Sequence, residues 1–175
     1  MSLREATKPK HDLAEEHVLS KMMFSGDIDP NLYADLLLNQ LYIYKALEDC
    51  LGANGLLLPG LARSDAILAD IQELIAWPSI HSPMATALFQ ASEFYGLDRK
   101  GLLAHLYVTY MGDLFGGQLL KTKLPGACRR YDFEDRTKLI HAIREMLSDD
   151  LADEANKAFD ATLELFDAFA AKHNL

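Results

Sequence analysis

Apolar positions recur every three or four residues through most of the chain, and no run shows the strict alternation of a half-buried strand. The pattern predicts an all-α protein. In the first helix, Thr7 acts as cap with Pro9 in the opening turn, and His11, Ala14, Glu15, Val18 and Met22 share one face. Gly26 to Pro30 interrupts the pattern. Asp29 and Pro30 then open a second helix through Tyr33, Leu37, Leu41, Tyr44 and Leu51, stopped by Gly52. Gly52 to Arg63, with Gly55, Pro59 and Gly60, reads as a loop. Ser64 starts a short helix reaching Trp77, and Ser82 with Pro83 starts another that Gly96 ends. Asp98 caps a long pattern from Leu102 to Leu124, ended by Pro125 and Gly126. Helices over about Phe133 to Leu147 and Leu151 to Lys172 complete the chain, with no internal repeat.

The 175 residues fit one domain, 1–175, and a half-hydrophobic composition suffices for a sizeable core. Lys and Arg number 17 against 26 Asp and Glu, a net charge of −9, which is the wrong sign for gripping nucleic acid or anionic lipid. Cys50 and Cys128 form neither a CxxC motif nor a disulfide framework, which fits a cytoplasmic protein. Met1 to His11 holds no apolar leader. The longest stretch without Asp, Glu, Lys or Arg, Leu74 to Ser92, contains two prolines, His81 and Gln90, so no membrane span is expected.

The chemical anomaly is Gly112-Asp113-Leu114-Phe115-Gly116-Gly117-Gln118, three glycines inside an apolar helical pattern. Each glycine costs a helix interior roughly 1 kcal/mol against alanine. Gly112 and Gly116 share a face, which suits close helix-on-helix packing, a bend, or a flat ligand laid against bare backbone. Asp113, taken alone, reads as a surface charge. His11 lies on an apolar face with Glu15 one turn later, a pair that can orient an imidazole toward a metal or simply decorate a helix surface. Tyr33, Tyr42, Tyr44 and Phe24 have the spacing of core aromatics. Lys121, Lys123, Arg129 and Arg130 form a basic cluster in an acidic chain. No HExxH, di-iron Glu-x-x-His, GxGxxG, phosphate-loop or GxSxG signature is present.

Four segments together resemble the heme oxygenases: Leu3-Arg4-Glu5-Ala6-Thr7-Lys8 leading to His11 and Ala14-Glu15; Leu41 to Glu48; Tyr107 through Gly112-Asp113-Leu114-Phe115-Gly116-Gly117-Gln118; and Asp153 to Phe159 with Leu165-Phe166. The resemblance implies a multi-helix bundle that uses heme as cofactor and substrate. Its reaction consumes O2 and external electrons and releases biliverdin, carbon monoxide and ferrous iron. It implies His11 as the proximal iron ligand, Glu15 as its partner, and Gly112 and Gly116 as backbone lying over heme, with Gly117 beside them. Asp113 would order distal water with Tyr44; Arg4 and Tyr107 would contact heme propionates; Phe159 and Phe166 would wall the pocket. The second propionate anchor is one of Lys138, His141 and Arg144, with Arg144 preferred. The chain departs from the family at Phe115, where a smaller residue is usual, and at Thr109, where some members carry arginine. With no flavin or nicotinamide motif, electrons would come from a partner such as ferredoxin or another reductase, docked on the Lys121–Arg130 cluster. A heme carrier or sensor that leaves its ligand intact is the alternative. Thiamin-salvage and di-iron relatives would need a nucleophilic cysteine or clustered carboxylates, and a plain helical interaction domain would bind no heme.

Overall fold

A computed structural model of the chain describes residues 1–75 and 82–175. Among these residues eight α-helices and three short 3₁₀ turns account for all regular structure, and no strand occurs. The helices are α1 (Leu3–Glu16), α2 (Val18–Ser25), α3 (Pro30–Ala53), α4 (Ser64–Leu74), α5 (Ala85–Glu93), α6 (Arg99–Leu120), α7 (Arg136–Met146) and α8 (Ala152–His173). The 3₁₀ turns are Phe94–Gly96, Arg129–Tyr131 and Asp149–Leu151. The all-α expectation holds, and no helix among the described residues is long and apolar enough to cross a membrane.

The first helix differs from the sequence reading at both ends. Ser2, not Thr7, is its cap: the Ser2 hydroxyl accepts from the Glu5 amide while the Glu5 carboxylate accepts from the Ser2 amide, a reciprocal capping box. Thr7 is buried inside the helix, its hydroxyl on the Leu3 carbonyl at 2.9 Å, and Pro9 lies in the interior. The helix does not run on to Met22. His17 leaves helical conformation (ψ 142°) and its Nδ1 accepts from the Leu19 amide, capping a separate α2. Gly26, at φ +84°, closes α2 in the left-handed conformation that glycine adopts without strain.

Asp29 and Pro30 open α3 as expected, with the Asp29 carboxylate accepting from the Asn31 and Leu32 amides. Helix α5 begins at Ala85, beyond Ser82 and Pro83, because Met84 is extended (ψ 150°), its amide donating to the Asn39 side chain of α3. Helix α6 starts at its Asp98 cap but stops at Leu120, short of Leu124, and α7 is trimmed to its Asp135 cap. The expected extension of α4 to Trp77 lies outside the described residues.

One core cluster runs through the bundle, built on side chains such as Leu36, Leu37, Leu47, Leu51, Ile67, Ile71, Tyr110 and Phe169. Helix α3 packs chiefly on α4 and α5, and α8 chiefly on α1 and α6. Asp35, buried in α3, accepts from Lys172 and His173 and so fastens the end of α8 to the first group. Tyr42 departs from the core-aromatic expectation: Tyr33 and Tyr44 are buried, but Tyr42 is 42% exposed because its position on α3 turns to solvent.

Gly117 serves packing. A Cβ there would fall 2.7 Å from Cε1 of the buried Tyr131 ring and closer still to Cδ1. Gly117→Ala should therefore destabilise the protein by about 1–3 kcal/mol through overpacking, outweighing the roughly 1 kcal/mol that helix propensity would add. A denaturant midpoint equal to or above that of the parent would contradict this packing.

Candidate functional site

Helices α1 and α6 each lie against α8 but not extensively against one another, so a gap opens between them. It forms a cleft of about 1500 Å³, larger than the roughly 300–1,000 Å³ of ordinary small-molecule pockets. One side presents Arg4, Thr7, His11 and Glu15 of α1. The other presents Tyr107, Gly112, Asp113 and Gly116 of α6, with Phe159 and Phe166 of α8 along the wall. The hydroxyls of Thr7 and Tyr107, 3.3 Å apart, bridge the two helices.

The glycines separate into two kinds. A Cβ at Gly112 would meet nothing within 4 Å, and one at Gly116 only the tip of Phe24 at 3.9 Å. Neighbouring helices do not use that bare face, so close packing does not account for it; it lines open space. Helix α6 runs without interruption across all three glycines, so they serve no break in it. Gly117, grouped with the other two in the sequence reading, does not line the cleft, because its bare side is occupied by Tyr131.

Asp113 is not the solvated charge its position suggests. It is 6% exposed, on the floor of the cleft. The Tyr44 hydroxyl donates to its Oδ2 at 2.7 Å, and Arg130 Nη2 lies 3.2 Å from Oδ1. The same Nη2 donates to the Tyr44 oxygen at 2.7 Å, and Nη1 donates to Gln40. Burial pushes the Asp113 carboxyl above its ordinary range, opposed by Arg130 and by the Tyr44 hydroxyl. Burial likewise holds the Tyr44 phenol far above its usual value. Arg130 was grouped with a surface patch by sequence, but it is 3% exposed and cannot meet a partner protein. Of the rest of that cluster, Lys121 pairs with Asp132 and Arg129 with Asp70 and Glu73, which leaves Lys123 as its one cation without an ion pair among the described residues.

His11 is half exposed. Its Nε2 lies 3.8 Å from Glu15 and its Nδ1 3.8 Å from Asp12, beyond hydrogen-bonding range, so neither ring nitrogen is committed to a partner. Its ring meets Phe159 edge-on at 6.0 Å. Of the three candidate anchors on α7 only Arg144 lines the cleft, with its guanidinium 5.8 Å from the Phe115 ring centre. Neither Arg4 nor Arg144 forms an ion pair among the described residues, whereas Lys8 and Lys157, also on the cleft, are paired with Asp12 and Glu154. The site therefore offers an unbonded imidazole, an open glycine face and two unpaired guanidiniums. That set fits a flat, anionic, metal-bearing ligand.

Sequence reasoning missed His105, Phe94 and Gln40 on the cleft wall. Only the helical phase of His105 with Gly112 could have signalled its place.

A family model described as heme oxygenase matches residues 1–142. Relatives include the heme oxygenase of Guillardia theta, 32% identical over 133 residues, a match spanning 69% of this chain and 56% of that protein. Heme oxygenase 2 of Synechocystis is 27% identical over 198 residues, spanning 93% of this chain and 79% of that protein. The match to the Porphyra purpurea heme oxygenase spans 65% of that protein, so the chain covers less than two thirds of some relatives. Among solved structures, Synechocystis heme oxygenase-2, in complex with heme and NO, superposes with a TM-score of 0.83 at 26% identity, covering 97% of this chain and 86% of that one. The Leptospira interrogans heme oxygenase gives 0.82 at 26% identity over 95% and 98%. These likenesses define an all-helical protein built on the heme oxygenase fold. The chain belongs to the heme oxygenase family.

His105 lies deep in the cleft wall against Phe94, ring centres 4.9 Å apart, and burial lowers its pKa to about 4. The unfolded ring titrates near 6.5, so the unfolded chain binds the extra proton between about pH 6.5 and 4. Stability should be fully present above that window and fall through it, by about 1–3 kcal/mol. Thermal unfolding across this pH range checks it: His105→Gln should flatten the slope, and an unchanged slope would refute the assignment.

Proposed function

We propose that the chain is a heme oxygenase in activity, binding heme in the α1–α6–α8 cleft and degrading it to biliverdin, carbon monoxide and ferrous iron with O2 and electrons from a separate donor. The observation that carries this reading is the unfilled face of Gly112 and Gly116 on the same cleft as an unbonded His11 and a buried Asp113. A carrier could bind through the histidine alone. It would have no use for a carboxylate desolvated on the cleft floor.

Bound heme supplies an iron centre that activates O2 and is itself the molecule consumed. His11 would hold the iron, and a neutral imidazole gives little push toward O–O cleavage compared with a thiolate. Glu15, 3.8 Å from the ring, would close to a hydrogen bond and fix its orientation when the iron is held. The glycine pair admits a flat ligand to the α6 backbone, where a side chain would hold it off. Arg4 and Arg144, unpaired and on the cleft, would receive the carboxylates of the ligand's edge and set its rotation, with Tyr107 adding a hydroxyl. Phe159 and Phe166 supply apolar wall. Asp113, with Oδ1 and Oδ2 already engaged, keeps lone pairs for a cleft water and passes a proton through it without reaching the iron. Tyr44 steadies that carboxylate.

The chain carries no flavin or nicotinamide motif, so electrons come from a ferredoxin or another reductase. The docking surface cannot include Arg130. The buried Cys50 and Cys128, unpaired, support a cytoplasmic setting.

Mixing the protein with hemin, ascorbate and air should replace the Soret band with a bilin spectrum. A stable hemin complex that survives reduction in air would instead establish a carrier, and no absorbance change at all would remove heme from the account. His11→Ala should lose most turnover and alter the hemin spectrum. Asp113→Asn should still bind hemin but form bilin about 100-fold more slowly; a wild-type rate would remove Asp113 from the chemistry. Gly112→Ala should stabilise the ligand-free protein by about 1 kcal/mol while weakening hemin uptake, a pairing that a purely structural glycine would not give.

A further inference from the structure

Among the described residues, the only guanidinium that reaches Asp113 comes from outside its helix. Thr109, one turn earlier on α6, carries no charge, and Arg130 arrives from the 3₁₀ turn after the loop that leaves α6. We propose that Arg130 is a positioning residue for the reaction: it acts through Asp113 and Tyr44, holding both groups in one fixed arrangement on the cleft floor.

Three restraints place it. The buried Asp70 carboxylate of α4 accepts from the Arg129 amide at 2.8 Å and the Arg130 amide at 3.0 Å, gripping the turn by its backbone. Cys128, just before the turn, sits at φ +50°, left-handed backbone that a side chain other than glycine adopts only at a cost. Tyr131, just after it, occupies the space left by Gly117, so the turn is seated directly against α6. Backbone clamp, left-handed residue and glycine socket converge on one side chain.

That side chain is aimed with little freedom. Its guanidinium packs over the Tyr44 and Tyr131 rings at 5.0 and 4.9 Å, and its fork spans Gln40, Tyr44 and Asp113. Its Nε, also buried, makes no hydrogen bond among the described residues. All three groups the fork serves line the cleft. Removing a buried partner leaves the other charge uncompensated, so Asp113 without Arg130 would take up a proton more readily and lose its fixed orientation. The groups facing Asp113 are Tyr44 from α3, Arg130 and Tyr131 from the turn, and at longer range Arg63 from the loop before α4. Tyr110 of α6 donates to Glu48 instead.

The role in catalysis rests on the oxygenase reading, but the hold on Asp113 does not, and the two separate experimentally. In the ligand-free protein, the infrared band of protonated Asp113, assigned by its loss in Asp113→Asn, should persist about 1–3 pH units higher in Arg130→Met than in the parent. With hemin, the same variant should bind within about 3-fold of the parent and form bilin about 10–100-fold more slowly. Arg130→Lys keeps the charge but not the fork, so it should restore most of the infrared midpoint and little of the rate. In Arg130→Ala, added guanidinium ion should recover part of the rate. A parental infrared midpoint in a folded Arg130→Met, or a parental rate in Arg130→Lys, would overturn the proposal; the lysine variant decides the matter if the methionine variant does not fold. A parent that makes no bilin yet shows the infrared shift sinks the oxygenase reading and leaves the hold of Arg130 on Asp113 standing.

Discussion

The architecture turns on one buried ion pair. Asp113 and Arg130 are 6% and 3% exposed, and taking both charges from water costs several kcal/mol per ion before any return. The pair persists because its neighbours are already in place: Tyr44 bridges the two, Gln40 takes the far nitrogen, and Asp70 fixes the backbone that delivers the arginine. A pair of this kind is weak evidence for stability, since apolar residues of equal volume would often do as well. Its presence is better explained by the cleft it faces. A carboxylate held buried on the floor of a cleft needs a cation behind it to offset its lost hydration, and here that cation is fixed in place.

That need shapes elements far from the cleft. Helix α4 contributes no side chain to the pocket, yet its Asp70 holds the turn that carries Arg130. Helix α8 forms the wall between α1 and α6, and its C-terminal Lys172 and His173 are drawn onto Asp35 in the opposite half of the bundle. The cleft is thus bounded by helices that are each tied elsewhere. Helix α8 packs on both α1 and α6, and among the described residues the hydroxyl contact of Thr7 with Tyr107 is the one hydrogen bond that joins α1 to α6 across the cleft.

The helical class, the Asp29–Pro30 start, the Asp98 cap and the oddness of the 112–117 glycines were legible in the sequence, because each is a local signal with a local cause. The first helix was misjudged at both ends. Ser2 and Glu5 cap it by a reciprocal pair that a proline at position 9 seemed to outvote, and the break at His17 has no glycine or proline to mark it. Arg130 was the larger miss. Beside three other basic residues it looks like surface, and nothing within ten residues records that Asp70, Gln40 and Tyr44 lie around it; burial of a charge is a tertiary fact. Gly117 was assigned to the wrong partner for the same reason, since the ring that needs its space is fourteen positions away.

The glycines show how one motif divides its labour. Three of them cost α6 roughly 3 kcal/mol against alanine. At Gly117 that cost is offset within the protein by the Tyr131 ring. At Gly112 and Gly116 no internal contact offsets it, because the face is open. The ligand-free fold therefore carries an uncompensated cost of about 2 kcal/mol on the helix that also holds Asp113. Whatever flat molecule settles there gains contacts with backbone that the protein itself leaves unused, and it stabilises the folded chain in proportion to its affinity. A motif that looks like one run of weak helix formers is a structural socket on one side and a reserved surface on the other. The position of a single ring, Tyr131, decides which glycine is which.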